Sequence, residues 1–426
     1  MLASRRAFSA VAALWLACGT TFAQPATATR GLPTQRVLER FGLVRMWWAQ
    51  AEMDASRDTV RHVFADEQVV LVYSTGGLMT AFDAESGRRM WALQISAQDT
   101  PGFAPTTNDE LVLVAAGARL YAIGKWNGDP VWNINIPGEP SASPGMDEHQ
   151  VYIGCLDGSV YAFDLKRIRE LYERGLLPQW SHVTRAWRHT TSGRISAPPV
   201  STGATVKFAS HNRSLYSLSR NEHSIQFQLE TGAPVAAPLA YRPGTGDSAG
   251  TIFLASQDFK VYSVNSDNGR LRWEPYVTGL PIRRAPRVLG DELYIFPDRG
   301  GMHAVSVEDG RQLWWRPHLV DYIAGSRHRL YASDDLGNVV IMARADGAPL
   351  GVLPLREYSM RVGNERTDRL FLCTPSGLVV ALRERELEFP IYHLFPEHRP
   401  ILPDFAAEGE PPPADDAQPQ EAGANP

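Results

Sequence analysis

The sequence has few cysteines, few lysines and no long apolar run after its first residues, and each shortage excludes a class of protein. Three cysteines, Cys18, Cys155 and Cys373, are too few for a disulfide framework or a Cys-rich zinc site. Only four of the 42 basic residues are Lys, and 47 acidic residues outnumber them. No strongly basic surface is therefore available for a nucleic-acid backbone. No later segment reaches the roughly 18 apolar residues that a membrane-spanning helix needs.

The first 23 residues have the features of a secretory signal peptide. Arg5 and Arg6 supply positive charge, residues 7–16 are apolar, and Ala23 offers a small-residue cleavage site before Gln24. We therefore expect export to the periplasm or cell envelope.

Two variants of this export remain open. The Arg5-Arg6 pair resembles a twin-arginine signal, although the general secretory route is favoured. Cys18 resembles a lipoprotein acceptor, but Trp15 stands where lipoprotein signals prefer Leu, so a soluble protein is favoured. Residues 24–41 are then expected to form a linker.

The middle of the chain is an eightfold repeat. A strand, a Gly turn, a second strand, another Gly turn and a Trp follow one another between Val69 and Trp91. The second strand contains an anchor residue, small in most units, that recurs at intervals of 37 to 55 residues. The eight anchors are Ala81, Ala122, Ala162, Ser217, Ser263, Ala304, Ile341 and Ala381. A period near 40 with several short strands per unit is typical of β-propeller blades.

Three further positions keep register with the anchor, and each suits a turn or an interface. The Asp or Asn two residues on starts a turn, the Gly six residues on supplies a positive φ, and the Trp ten residues on buries a large ring between blades. These residues are Asp83, Gly87, Trp91, Gly128, Trp132, Asp164, Asn265, Gly269, Trp273, Gly310 and Trp314, together with Gly347.

The repeats predict an all-β, eight-bladed propeller over residues 42–403, with four antiparallel strands, A to D, in each blade. Short Pro- or Ala-marked segments precede several repeats and fit innermost strands at a central channel. They are Phe103–Thr107, Ser141–Gly145, Ile195–Val200, Val235–Tyr241 and Ile282–Val288. Residues 42–53 resemble a D strand that completes the eighth blade, although Trp47 is one residue out of register. A closing strand from residues 386–393 is the alternative.

The intact motif from Ala81 to Trp91 resembles the repeat of the pyrroloquinoline-quinone-type β-propellers, and it is similar to that of the outer-membrane assembly lipoprotein BamB. The motif is degraded in the later units, where Ile341 replaces the small anchor, Gly351 replaces Trp and Leu387 replaces Gly. The resemblance implies the fold, while one fold hosts many functions.

The quinone-dependent dehydrogenases that share this repeat imply an adjacent cysteine pair, a calcium site with acidic and Asn ligands, and a catalytic Asp. Cys155 and Cys373 are far apart in sequence and on blades three steps apart, so we expect two separate buried thiols. Neither a catalytic motif nor a metal-ligand spacing is found. We expect no bound cofactor, with pyrroloquinoline quinone plus calcium as the alternative.

Two segments that depart from the repeat are candidate partner-binding sites. Residues 166–186 interrupt the third unit, begin as a helix and continue as a Pro-marked loop. The alternative is a helix that only folds back on its own blade. The candidate residues here are Arg169, Tyr172, Leu177 and Trp180. In the second segment, Arg283 and Arg284 could line the channel and hold an anion or an acidic partner, or could be solvated and ion-paired.

The end of the chain changes composition twice. Residues 388–403 are rich in Pro and aromatics and are expected to pack across a propeller face, with His393 at the surface. Residues 404–426 contain six acidic residues and no basic one, and we expect a disordered tail.

Two functions of different class remain. The favoured one is an exported, non-catalytic and monomeric propeller that binds envelope proteins, as the BamB resemblance implies. The alternative is a quinone- or other cofactor-dependent oxidoreductase whose site is built from scattered channel residues.

Overall fold

The structure, a computed structural model, describes residues 31–244 and 248–394. The predicted signal peptide with Cys18 and the predicted acidic tail, residues 404–426, lie outside these ranges. So do the adjoining parts of the predicted linker and of the last propeller segment. No helix in the described ranges is long and apolar enough to cross a bilayer.

The described strands form eight antiparallel sheets of four strands each, which are the blades of a β-propeller. The predicted fold class is therefore confirmed. The strands of blades one to four, from A to D, are β2 (Val60–Ala65), β3 (Val69–Ser74), β4 (Leu78–Asp83) and β5 (Arg89–Gln94); β6 (Thr106–Thr107), β7 (Leu111–Ala116), β8 (Arg119–Gly124) and β9 (Pro130–Asn135); β10 (Gly145–Met146), β11 (Gln150–Gly154), β12 (Ser159–Asp164) and β13 (Arg185–Thr190); β14 (Val200–Ser201), β15 (Thr205–Ser210), β16 (Ser214–Ser219) and β17 (Ile225–Glu230).

Blades five to eight follow the same plan, and the predicted innermost segments supply short A strands. The strands are β18 (Ala240–Arg242), β19 (Thr251–Ala255), β20 (Lys260–Asn265) and β21 (Tyr276–Val277); β22 (Arg287–Leu289), β23 (Glu292–Ile295), β24 (Met302–Ser306) and β25 (Gln312–Arg316); β26 (Leu319–Gly325), β27 (Arg329–Asp334), β28 (Val339–Ala343) and β29 (Pro349–Leu353); β30 (Met360–Arg361), β31 (Leu370–Cys373), β32 (Leu378–Glu384) and β1 (Leu43–Gln50).

The N-terminal strand closes the ring, as predicted. β1 pairs antiparallel with β32 and becomes the D strand of blade eight. A register shift between Arg45 and Trp47 places Trp47 opposite the anchor Ala381. The bulge absorbs the extra residue that put Trp47 out of register in the sequence. Closure removes the exposed strand edges that an open sheet would leave.

In blades one, three and five, the Asp or Asn two residues after the anchor organises the backbone that follows it, as its chemistry predicts. The Asp83 carboxylate accepts a hydrogen bond from the backbone N of Ser86 at 2.8 Å. The Asn265 side-chain oxygen accepts one from the backbone N of Asp267 at 2.9 Å. The Asp164 carboxylate instead accepts from the backbone N of Arg167 and caps a helix.

In five of the eight blades, the ring at the Trp position packs on the C–D turn of the next blade. A Cβ placed on Gly87, Gly128, Gly269, Gly310 or Gly347 would lie 2.3 to 2.7 Å from a ring atom of Trp47, Trp91, Phe227, Trp273 or Trp314, in that order. Four of these indoles also donate Nε1–H to a turn carbonyl: Trp47 to Ala84, Trp91 to Lys125, Trp273 to Val307 and Trp314 to Arg344, at 2.8 to 3.1 Å. The predicted inter-blade position of the Trp is confirmed.

Between blades three and four, a histidine takes the glycine position. His223 has φ of 56° without being Gly, and its ring centroid lies 5.8 Å from that of Trp187. A ring-on-ring contact therefore replaces the ring-on-glycine contact at this interface.

The interface between blades two and three is rebuilt by an insertion. The predicted helical interruption is α2 (Leu165–Glu173), followed by α3 (Leu177–Trp180) and a 3-10 turn (Ser181–Thr184). These elements stand where the other blades have a short C–D turn. Trp132 shares one buried cluster with Ile168, Leu171 and Leu177 of the insertion.

The interface between blades seven and eight is completed by residues that the sequence reading assigned to a linker. Helix α1 (Gln35–Arg40) precedes β1 and buries Leu38 between the two blades. A Cβ on Gly351 would lie 2.2 Å from Cε1 of Phe41. Gly351 stands where the motif has Trp, so the Phe41 ring fills the space that this Trp would take. The end of the predicted linker is thus part of the propeller core.

We expect Gly310→Ala to lower the free energy of unfolding by about 2–4 kcal/mol, because it combines left-handed backbone strain with a steric clash. Gly310 has φ of +73°, and its new Cβ would lie 2.7 Å from Cδ2 of Trp273. Gly279→Ala is the matched control, since Gly279 has φ of +78° with nothing within 4 Å. The control should lose only about 1–2 kcal/mol. Urea unfolding of both variants measures the difference, and equal losses would show that the indole contact contributes nothing.

Candidate functional site

A cavity of about 810 Å³ lies at the centre of the ring. Seven of the eight blades contribute residues from their A strands and the connections around them, including Val63, Met146, Val200, Tyr241 and Val288. The walls mix apolar side chains with exposed backbone, because the innermost strands are short and marked by Pro and Gly. The cavity is the one feature of the fold to which almost every blade contributes.

Three arginines line this cavity, and each has partners within the protein. Arg287 forms an ion pair with Glu365 at 3.1 Å, and Arg366 binds Glu67 at 3.1 Å. Arg361 donates from Nε to the carbonyl of Tyr358 at 3.0 Å. The three arginines therefore stabilise the connecting segments around the cavity through ion pairs and hydrogen bonds.

A segment after the last strand, residues 387–394, crosses one face and ends at the cavity. The backbone N of Ile391 donates to Asp368 at 2.9 Å, and the N of His393 donates to the carbonyl of Arg366 at 2.8 Å. The Arg369 guanidinium donates a hydrogen bond to the carbonyl O of Glu388 at 2.7 Å. The part of the predicted face-crossing segment that is described does pack on the propeller, and Leu394 lines the cavity. The rest of that segment lies outside the described residues.

The residues around the cavity do not fit the calcium site implied by the quinoprotein resemblance. In residues 31–244 and 248–394, no three His, Cys, Asp or Glu side chains converge closely enough to hold a metal ion. The one carboxylate that lines the cavity, Glu365, is already paired with Arg287. Cys155 and Cys373 are two free, buried thiols, and burial raises the pKa of each to about 12. Neither thiol is poised as a nucleophile.

The insertion in blade three divides its predicted partner-binding residues into a buried and an exposed set. Leu177 is only 3% exposed and belongs to the core, so its assignment to a binding surface is wrong. It lies in the buried cluster that also contains Trp132, Ile168 and Leu171. Tyr172 and Trp180 are 46% and 48% exposed. Leu176 and Val183, at 38% and 39% exposed, are further exposed apolar side chains of the insertion.

The predicted arginines of the second segment do not line the channel. Arg283 is ion-paired with Asp298, and Arg284 donates to the carbonyl of Val320. Both lie on the connection that enters blade six, and Arg284 borders a separate surface cavity beside Trp315. Arg287, three residues further on, is the arginine that reaches the central cavity. Blade six reaches the central cavity only with Arg287 and Val288 of its A strand.

A groove of about 670 Å³ lies between the C–D turn of blade two and helix α2. Its walls include Trp126 and Tyr172, and Arg169 spans it to reach Glu110 at 2.7 Å. We call it the α2 groove. The predicted residues Arg169 and Tyr172 are thus brought together, while Trp180 is not among the residues that line it.

Trp126 was missed by sequence reasoning, although the repeat contains a signal for it. It stands four residues after the anchor Ala122, at a turn position that other blades fill with non-aromatic residues. These are Glu85, Lys166, Asn221, Asp267, Glu308, Ala345 and Arg385. The turn does not need an aromatic, and Trp126 is 50% exposed.

A buried ion pair fixes the turn that carries Trp126. Lys125 Nζ lies 2.8 Å from Asp66, and the side chains are 3% and 2% exposed. Lys125 also donates to the side chain of Gln68 at 2.8 Å. The pKa of Asp66 is lowered, because Lys125 and the hydrogen bonds outweigh the opposing effect of burial. The pair ties blade one to blade two beneath the α2 groove.

A family model matches residues 75–186 and 230–356, more than half of the chain. Its description is outer membrane protein assembly factor BamB.

Curated relatives described by the same words are distant in sequence. The one from Nitrosomonas eutropha is 20% identical over 260 residues, which cover 58% of this chain and 59% of that protein. The one from Yersinia pestis is 22% identical over 257 residues, covering 59% and 60%. The chain thus spans less than two thirds of the length of these two relatives.

Two solved structures share the fold. BamB from Moraxella catarrhalis superposes with a TM-score of 0.60 at 13% identity, covering 80% of this chain and 97% of that one. The computationally designed Ika8 protein also gives a TM-score of 0.60, at 11% identity, covering 78% and 98%.

We expect His393→Gln to weaken the pH dependence of stability. His393 is half-buried rather than at the surface, with Nε2 3.0 Å from the carbonyl O of Gly325. Burial lowers its pKa to about 4, against 6.5 for an unperturbed His. The unfolded chain therefore binds the proton more tightly, and stability is lost as pH falls from about 6.5 towards 4.

From pH 7 to pH 5, the wild type should lose about 2 kcal/mol more than the variant in free energy of unfolding. Asp368, whose pKa burial raises to about 6, titrates in both proteins, so the difference isolates His393. Urea unfolding at both pH values measures it, and the exposed His149→Gln should follow the wild type. Parallel pH curves for wild type and His393→Gln would contradict the assignment.

Proposed function

The chain belongs to the family of the outer membrane protein assembly factor BamB, and we propose that it is a non-catalytic platform that binds envelope proteins during outer membrane protein assembly. The observation that carries the proposal is the family match over residues 75–186 and 230–356. The propeller supports it physically, because a closed ring of packed blades is a rigid base for binding loops.

The exposed apolar side chains of the blade-three insertion support a protein partner. Leu176, Trp180 and Val183 are 38%, 48% and 39% exposed. Solvent-exposed aromatic and aliphatic side chains on an insertion between regular blades are typical of an interaction site. The partners are envelope proteins, and the propeller is a monomer.

Export is part of the proposal. The signal peptide predicted for residues 1–23 directs the chain to the periplasm or cell envelope by the general secretory route. Lipid attachment at Cys18 and twin-arginine export stay as the alternatives.

The platform works without a quinone cofactor. The central cavity offers three arginines already engaged with protein groups, and its one carboxylate is paired. We expect no change in melting temperature when the purified chain is heated with pyrroloquinoline quinone and calcium. A ligand at 100 times its dissociation constant stabilises a native state by about 2.7 kcal/mol, so binding would be visible. A reproducible, calcium-dependent rise would favour the oxidoreductase instead.

Deleting the gene should lower the amount of folded outer membrane proteins in the source cell, and the wild-type gene should restore it. We expect a triple variant, Leu176→Ser, Trp180→Ser and Val183→Ser, to restore it less well, because the insertion loses its apolar contact surface. The matched control replaces exposed residues of blade seven by Leu336→Ser, Leu350→Ser and Val352→Ser, which are 63%, 52% and 49% exposed. Immunoblots of heat-modifiable outer membrane proteins, with chain levels as the reference, measure the outcome. Normal levels in the deletion strain would contradict the proposed function.

A further inference from the structure

The α2 groove combines two exposed aromatic side chains with negative charge that no neighbouring cation balances. We propose that it binds a Lys or Arg side chain presented by an extended segment of the partner protein. This inference rests on the proposed function, since it names the chemistry of the partner for one surface of the platform.

One of the two aromatic walls, Trp126, is held in place by contacts within the chain. Trp126 donates Nε1–H to the carbonyl of Asp109 at 3.1 Å. Lys125 Nζ lies 5.4 Å from the centroid of its ring. Half of the Trp126 side chain nevertheless stays exposed, as does nearly half of Tyr172 across the groove. An aromatic side chain fixed in this way binds a cation with little loss of conformational entropy.

The charges of the groove leave a negative excess. Arg169 is neutralised by Glu110, which also lines the groove. Asp129 and Glu173 line the groove as well, and among the described residues neither forms an ion pair. The remaining lining cation, Lys125, is neutralised from below by the buried Asp66.

The central cavity and the cavity beside Trp315 do not share this pattern. The arginines of the central cavity face carboxylates and backbone carbonyls. The cavity beside Trp315 contains two Arg, two Asp and a His that is itself paired with Asp335. Only the α2 groove, among the three, offers two aromatic faces together with unpaired carboxylates. A basic side chain fits this combination, because the ring faces and the carboxylates both attract a cation.

The effect of replacing Arg169 on binding affinity distinguishes a basic partner from an acidic one. The Arg169 guanidinium is ion-paired with the Glu110 carboxylate, and both side chains are more than 60% exposed. Another cation from solvent can therefore reach this carboxylate. An incoming cation competes with Arg169 for this carboxylate. Removing Arg169 should therefore improve binding, whereas a role for Arg169 in holding an acidic partner would give the opposite result.

The test uses the full chain and a fluorescein-labelled peptide of eight residues in which Arg alternates with Gly. A peptide with Glu in place of Arg, and one with Ser, are the probes for charge. Fluorescence anisotropy measures the dissociation constants at low salt. We expect the Arg peptide to bind, the other two to bind at least tenfold more weakly, and added salt to weaken the Arg peptide most.

The variants then locate the site. Trp126→Ala and Tyr172→Ala should each weaken the Arg peptide about three- to tenfold. The double variant Asp129→Asn and Glu173→Gln should weaken it by a similar factor, and Arg169→Met should tighten it about two- to threefold. Trp315→Ala and Glu308→Gln are the matched controls, because they change an exposed Trp and an exposed Glu outside the groove. Melting temperatures confirm that each variant folds.

Three results would overturn the inference: no binding of the Arg peptide, equal binding of the Glu or Ser peptide, or equal effects of the groove variants and their controls. Equal binding of the Ser peptide with loss on Trp126→Ala would mean that the groove takes an extended segment whatever its charge. The gene-deletion experiment decides the proposed function separately. Normal complementation with failed peptide binding would reject only the basic-segment inference.

Discussion

The packing of an aromatic ring on the next blade's C–D turn is the contact on which the whole ring depends. A blade alone exposes two apolar faces, and the indole joins one blade to its neighbour by burial and by one hydrogen bond. Trp47 makes this contact across the closure of the ring, where it reaches Gly87 of blade one. The N-terminal strand therefore contributes both the missing strand of blade eight and its inter-blade ring.

The two interfaces that depart most from this rule are also where additional structure is attached. Between blades two and three the insertion packs Ile168, Leu171 and Leu177 in the buried cluster of Trp132. Between blades seven and eight, Phe41 and helix α1 compensate for Gly351. A standard turn is compatible only with the standard ring contact, so a changed turn requires new side chains to fill the interface.

This arrangement separates the residues that stabilise the ring from the exposed surface proposed for binding. The cavity at the centre is lined by arginines that serve neighbouring connections, whereas the exposed aromatic side chains Trp126, Tyr172 and Trp180 lie on and beside the insertion. A surface built on a rebuilt interface can vary without disturbing the regular blades. The same rigid ring can then present different binding chemistry in different members of the family.

The repeat can be predicted from local sequence because each blade forms its turn and its inter-blade contact with residues that are close together in the chain. An anchor, a turn former, a Gly and a Trp within about ten residues predicted the fold, the closing strand and the inter-blade position of the Trp. The misread residues are those whose role depends on distant parts of the chain. Phe41 fills a space left by Gly351, Leu177 is buried in the cluster that contains Trp132, and Arg287 rather than Arg283 or Arg284 reaches the centre. Sequence periodicity predicts short-range geometry. The tertiary structure decides which side chains line a cavity or fill a gap, because these sites form only when segments far apart in the sequence come together in the ring.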